Sequence, residues 1–159
     1  MKTAEQRRIL IIDDQESIRK SLKLALEREG YLVETAENGR EAIRKSKQEF
    51  YNMALVDLRL PDMDGIELLT KMRETAPKMV KIIITGYPSL ENSIEAVNRG
   101  ADGYVIKPYT MEGLLLKIKE QLQKQQEAGK YSEEKVKEFI EARAEEYESR
   151  TSAKRSLKK

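Results

Sequence analysis

The chain contains no cysteine, no histidine and no tryptophan. Without cysteine there is no disulfide scaffold, thiolate zinc site, iron–sulfur cluster or thiol nucleophile. Without histidine there is no imidazole triad, no imidazole metal ligand and no side chain that titrates unperturbed near neutrality. Long apolar runs are missing too: none exceeds four residues, as in ILII at 9–12. A membrane-spanning helix needs about 20. The amino-terminal MKTAEQRR is polar and lacks the apolar centre of a secretion signal, so a cytoplasmic location is expected. An excess of one charge is also absent, with 30 Lys and Arg against 28 Asp and Glu for a net of +2. That balance argues against a dedicated polyanion binder, which needs a basic excess on one face. The chemistry left to this chain runs on carboxylates, hydroxyls, lysine and arginine.

What is present is an alternation. Five short runs rich in β-branched or apolar residues stand at 8–13, 31–36, 53–57, 81–85 and 103–106. Four are nearly continuous, as central strands covered on both faces are, while the run from Tyr31 alternates and suits a sheet edge. Between them lie apolar stripes at helical spacing: Ile18, Leu22, Ala25 and Leu26; Ala42 and Ile43; Ile66, Leu69 and Met72; Ile94 and Val97; Leu114, Leu115, Ile118 and Leu122. Gly30, Asn38-Gly39, Pro77, Gly86 with Pro88, and Gly100 punctuate the elements. The order βαβαβαβαβα predicts a doubly wound α/β fold with right-handed crossovers. Five strands suit a parallel sheet in the flavodoxin-like order 2-1-3-4-5, with the ligand site beyond the carboxyl ends of the strands.

Composition changes near Gly129. Residues 1–128 balance their charges, and residues 129–159 carry the whole net +2, with Arg150, Lys154, Arg155, Lys158 and Lys159 at a basic end. The expected division is a domain at 1–128 and a charged extension at 129–159, with Gly129 as a helix stop or hinge. Val136, Phe139, Ile140 and Tyr147 predict a separate helix near 131–148, followed by a disordered end.

The acids fall at strand ends. The first run closes on Asp13-Asp14 and the third on Asp57, and in a parallel sheet both open on the same edge. Three carboxylates so close repel one another unless a cation joins them. With no imidazole or thiolate available, a hard oxygen-seeking cation fits, and Mg²⁺ fits best. Thr85 ends the fourth run and Lys107-Pro108 follows the fifth. Acid, hydroxyl and ammonium around one cation make a site for a phosphoryl group, towards which an Asp carboxylate is a competent nucleophile. Singly, each residue reads as a turn former, a helix cap or a solvated side chain. Their conjunction at four strand ends carries the chemistry.

These residues are similar to a known set. ILIIDD at 9–14, ALVDLRLPDMDGIEL at 54–68, IIITGY at 82–87 and GADGYVIKPY at 100–109 resemble the receiver domain of two-component response regulators, over residues 8 to about 125. The resemblance implies that Asp57 is the phosphoacceptor and that a histidine kinase or phosphotransfer protein is the donor. It implies that Asp13, Asp14, Asp57 and the backbone carbonyl of Arg59 hold Mg²⁺. Thr85 and Lys107 would engage the phosphoryl group, with a cis bond from Lys107 to Pro108, and Tyr104 would be the switch aromatic. The output would be a reshaped face of the fourth helix, fifth strand and fifth helix, read by a protein partner or by a second copy. Arg59 and Tyr87 would stand over the mouth of the site and set the lifetime of the phosphoryl group. The small tail leaves the chain either a stand-alone receiver or a piece of a longer regulator, with nucleic-acid binding not expected from this chain alone. Two rivals differ in class. A transcription regulator would use the basic tail or a separate output domain on DNA. A haloacid-dehalogenase-type phosphatase would want an acid two residues after its nucleophile, where this chain has Arg59.

Overall fold

The computed structural model describes residues 6–76 and 78–157. Pro77, Lys158 and Lys159, which figured in the expectations above, lie outside them. The elements are β1 (Arg8–Ile12), α1 (Glu16–Arg28), β2 (Leu32–Ala36), α2 (Gly39–Gln48), β3 (Met53–Asp57), α3 (Gly65–Thr75), β4 (Val80–Thr85), α4 (Leu90–Asn98), β5 (Gly103–Ile106) and α5 (Met111–Leu157). The strands form one parallel sheet in the order β2-β1-β3-β4-β5, as the alternation predicts.

Alternating strand residues feed two apolar layers. Ile9, Ile11, Met53, Leu55, Ile82 and Ile84 pack with Leu22 and Leu26 of α1 and with Leu114, Ile118 and Leu122 of α5. Leu10, Ile12, Ala54, Val56 and Ile83 pack on the opposite face with Ala42 of α2, Leu68, Leu69 and Met72 of α3, and Ala96 of α4. Both faces of β1, β3 and β4 are therefore covered, which is why their sequences run apolar without alternation. Lys81 is the exception in β4. It is 2% exposed, and its ammonium donates to the carbonyls of Met79 and Ala76 just past the end of α3.

Helix starts follow local chemistry. Asn38, Asp64 and Ser89 cap α2, α3 and α4 by accepting the backbone N–H of Glu41, Ile66 and Asn92. Gln15 precedes α1 without a side-chain cap bond. Gly30 and Gly100 follow α1 and α4 at φ +94 and +105, the left-handed region that glycine enters at low cost.

Three readings need correction. The run at 103–106 is not a central strand. β5 is the second sheet edge, as the expected order 2-1-3-4-5 requires although its apolar run reads as a covered central strand, and its residues are partly buried or exposed. Ile94 and Val97 do not face the core: they are 52% and 63% exposed, and α4 buries Ala96 instead. A small residue there lets the short helix approach the sheet closely. Finally, Gly129 does not stop a helix, no separate helix begins near 131, and the described residues of the tail, up to Leu157, are helical rather than disordered, because α5 runs from Met111 to Leu157. One interior glycine costs about 1 kcal/mol against alanine. The strong helix formers around it and pairs such as Glu146–Arg150 at 2.7 Å offset that cost. By contacts, the chain divides into one unit ending at Leu122 and a second, Gln123–Lys159.

Candidate functional site

Register brings the strand-end residues to one edge. Ile12 pairs with Val56, so Asp13 and Asp57, each one residue further on, are level neighbours. Asp57 pairs with Ile84, which places Thr85 one step beyond it. Thr85 pairs with Ile106, which places Lys107 one step beyond that. Strand order reverses between β1 and β3, and the crevice outside such a reversal is where doubly wound sheets bind ligands.

Asp13, Asp14 and Asp57 each bring one carboxylate oxygen within 4.8 Å of the others. Asp13 is buried, and its Oδ1 accepts the backbone N–H of Gln15 at 2.8 Å. Asp14 is exposed and Asp57 intermediate. Glu16 stays out of the group: it sits on the exposed side of α1, paired with Lys20 at 3.0 Å. The Lys107 ammonium lies 3.6 Å from Asp13 Oδ2 and 3.9 Å from Asp57 Oδ2. The Lys107–Pro108 peptide bond is cis.

Electrostatics mark Asp57. Burial pushes its carboxyl above the usual range, and the charges on Asp13 and Asp14 add to the rise. The Arg59 N–H, which donates to Asp57 Oδ1 at 3.1 Å, and the Lys107 ammonium oppose it without cancelling it. Burial first and Asp13 second also raise the Tyr109 hydroxyl. The site carries more negative charge than its own cation neutralises, the situation a divalent cation relieves.

Thr85 is fully buried; its hydroxyl accepts the N–H of Tyr87 at 3.0 Å, and its carbonyl accepts that of Lys107 at 2.8 Å. The Arg59 guanidinium stacks 3.4 Å from the centroid of the Tyr87 ring, so the two exposed side chains form one unit. Tyr104 stands apart from the acids. It packs against the layer formed with α2, α3 and α4, and its hydroxyl is buried without a hydrogen-bond partner among the described residues.

Four contributors escaped the strand-end argument. Gly65 passes so close to β3 that a Cβ there would meet the Asp57 carbonyl at 2.7 Å and Leu58 Cα at 2.8 Å. Its N–H donates to the Leu58 carbonyl at 2.8 Å, closing the loop that follows Asp57. Asp64 caps α3 from the same loop, and Asp-Gly ahead of an apolar run was a readable signal for it. Arg19 donates to the Asp13 carbonyl at 2.7 Å, and Asp62 accepts the N–H groups of Gly39 and Arg40 at 2.9 Å each. Neither has a sequence signal, because each acts on backbone that is remote in the chain.

The family model described as the response regulator receiver domain matches residues 9–119. The chain belongs to that family. Among curated receiver-containing proteins, the transcriptional regulatory protein SrrA of Staphylococcus aureus is 39% identical over 118 residues, covering 74% of this chain and 48% of that protein. The chain thus spans about half the length of the curated relatives it matches. Among solved receivers, the CheY-like response regulator receiver domain protein from Methanospirillum hungatei JF-1 superposes with a TM-score of 0.77 at 49% identity, over 78% of this chain and 99% of that one. The beryllofluoride-activated NtrC4 receiver domain dimer gives 0.71 at 38% identity, over 74% and 98%. No helix among the described residues is long and apolar enough to cross a membrane.

Proposed function

We propose that this receiver is a phosphorylation-driven switch with Asp57 as its phosphoacceptor. The observation that carries the reading is the cluster itself: three acids within 4.8 Å, one of them with a raised pKa, and Lys107 between two of them. A histidine kinase or phosphotransfer protein supplies the phosphoryl group. Its P–N bond breaks as a P–O bond forms to Asp57, and the imidazole keeps the electron pair and takes a proton. Asp13, Asp14, Asp57 and the Arg59 carbonyl are the residues that would hold Mg²⁺. When bound, the ion supplies positive charge for the phosphoryl oxygens. Lys107 adds an ammonium beside them, and the buried Thr85 hydroxyl, which accepts the Tyr87 N–H, has its own proton to donate once it turns towards them. Asp57 accepts a group and does not turn over a substrate; Arg59 occupies the place where a haloacid-dehalogenase-type enzyme carries its acid. The cytoplasm, where ATP feeds such kinases, is the compartment this reading requires.

Movement of Thr85 makes room beside β5, and Tyr104 fills it. The readout is the surface of α4, β5 and α5, where Leu90, Ile94, Val97, Ile106 and Leu116 are all at least half exposed. An apolar surface of this kind suits a protein partner or a second copy. NtrC4's receiver is a dimer in its beryllofluoride-activated form, which supports the second option. The name of the SrrA relative supports a role in transcription for a longer protein with this receiver; DNA contact is not assigned to residues 129–159.

The test is incubation with Mg²⁺ and acetyl phosphate, followed by intact mass and solution size. One phosphoryl addition, absent in Asp57→Asn, is expected. No addition, and no response to beryllofluoride, overturns the reading.

A further inference from the structure

The two acid-bearing loops are tied to a third segment that supplies no acid to the cluster. Asp13 and Asp14 leave β1, and Asp57 and Arg59 leave β3. Both loops meet the turn between β2 and α2. On the β1 side, the Asp13 N–H donates to the Ala36 carbonyl at 3.1 Å. Arg19, with a side chain 15% exposed, donates from Nη1 to the Asp13 carbonyl at 2.7 Å and holds Nη2 3.9 Å from Glu37 Oε2. On the β3 side, Asp62 accepts the Gly39 and Arg40 N–H groups, one on each carboxylate oxygen, both at 2.9 Å. Those donors open α2, where a carboxylate also meets the positive end of the helix. Met63 lies so close to Gly39 that a Cβ there would collide with its Sδ. The turn is itself braced, since Asn38 accepts the Glu41 N–H at 2.8 Å and Glu41 accepts the Glu37 N–H at 3.2 Å.

We infer that Arg19 and Asp62 are positioning residues for the divalent-cation site, fixing the two acid-bearing loops against the β2–α2 turn. The inference rests on the reading of Asp13, Asp14 and Asp57 as that site. Neither residue belongs to the acid group. Each shapes it by limiting where a neighbouring backbone can go. Arg19 holds the peptide that aims Asp13 and Asp14. Asp62 holds the far end of the loop whose near end carries the Arg59 carbonyl, a loop that the Arg59–Asp64 bridge closes on itself. Three oxygens with ordinary thermal freedom make a poor site for a small ion that demands near-octahedral geometry, so loosening either loop weakens binding.

The experiment is calorimetric titration of the full chain with MgCl₂, with no phosphodonor, at a temperature where each protein gives its full native circular dichroism. Asp62→Ala and Arg19→Gln are each expected to weaken Mg²⁺ binding about 10-fold or more, the range found when groups supporting metal ligands are removed. The double variant multiplies the two losses, because the clamps hold different loops. Ser89→Ala removes the α4 cap, destabilises the fold elsewhere, and is expected to leave Mg²⁺ affinity unchanged. Asp62→Asn keeps one acceptor and is expected to fall between wild type and Asp62→Ala. If Arg19→Gln does not fold, Arg19→Lys and the two Asp62 variants decide. Wild-type affinity in folded Asp62 and Arg19 variants overturns the inference, as does an equal loss in Ser89→Ala. A wild-type chain that takes up no Mg²⁺ overturns the underlying site reading as well, so the two failures are distinguishable.

Discussion

Asp57→Asn is expected to stabilise the metal-free protein. The wild-type carboxylate sits with those of Asp13 and Asp14, with ligand oxygens no more than 4.8 Å apart. At an effective dielectric of about 20, each such pair repels by about 3.5 kcal/mol. Lys107, 3.9 Å from Asp57 Oδ2, attracts by about 4.3 kcal/mol on the same scale. Two repulsions against one attraction leave a net penalty, and solvent around the exposed Asp14 trims it to about 1–2 kcal/mol. Asparagine keeps an acceptor for the Arg59 N–H, so that bond is retained. The expected gain in Tm is about 3–8 °C for a domain of this size. The sign of the pH dependence follows from the raised carboxyl. Below the ordinary Asp value of 3.8, Asp57 is protonated folded and unfolded, and its charge costs nothing. As pH rises, the unfolded chain ionises first while the folded one holds its proton, so wild-type stability falls until the folded group also ionises. Melts in EDTA from pH 4 to 7.5 should therefore show the variant's advantage growing with pH. Added Mg²⁺ should stabilise wild type more than the variant and narrow the gap. An asparagine variant that melts at or below wild type in EDTA at pH 7.5 would refute the reasoning, and so would a gap that does not change with pH.

Gly65→Ala should lower stability by about 1–3 kcal/mol, read as a lower urea midpoint, because its Cβ would press on the Asp57 carbonyl and Leu58 Cα rather than on a flexible side chain. Tyr104→Phe should raise stability by up to about 1 kcal/mol, since it removes a buried hydroxyl without a partner among the described residues; a loss of that size would mean the hydroxyl is satisfied. Gly129→Ala should increase far-ultraviolet helical signal and favour α5 by about 1 kcal/mol, since nothing lies within 4 Å of the added Cβ. Arg59→Ala combined with Tyr87→Ala removes the stacked pair and should speed loss of the phosphoryl group several-fold, followed by intact mass over time. An unchanged decay rate would show that the pair does not shield the site.

The sheet was legible because burial on both faces leaves a plain mark. β1, β3 and β4 run apolar without alternation, and their order and crossover rule fix the topology. β5 has the same composition but lies at an edge, so composition alone could not separate an edge strand from a central one. Ile94 and Val97 show the same limit on a helix. Apolar spacing says that a face exists, and only packing says whether that face meets the core or solvent. Gly129 was misread because a single unfavourable residue was weighed without the long helix-forming stretch on either side.

The site divides along the same line. Asp13, Asp14, Asp57, Thr85 and Lys107 could be brought together from sequence because each stands at a strand end, and parallel strands carry their ends to one edge. Strand register is nearly the whole of the information needed. Arg19 and Asp62 obey no such rule. Their partners are backbone groups of Asp13, Gly39 and Arg40, which any residue type presents, so nothing in the composition of those positions announces the contact. Side chains at the strand ends are thus visible to periodicity, whereas the proposed clamps on the neighbouring backbone become visible only in the folded chain. That difference makes the clamps the more informative targets. On the proposed reading, a change at Asp57 removes the chemistry outright, but a change at Asp62 leaves every reacting group in place and asks only whether they are still held where the cation needs them.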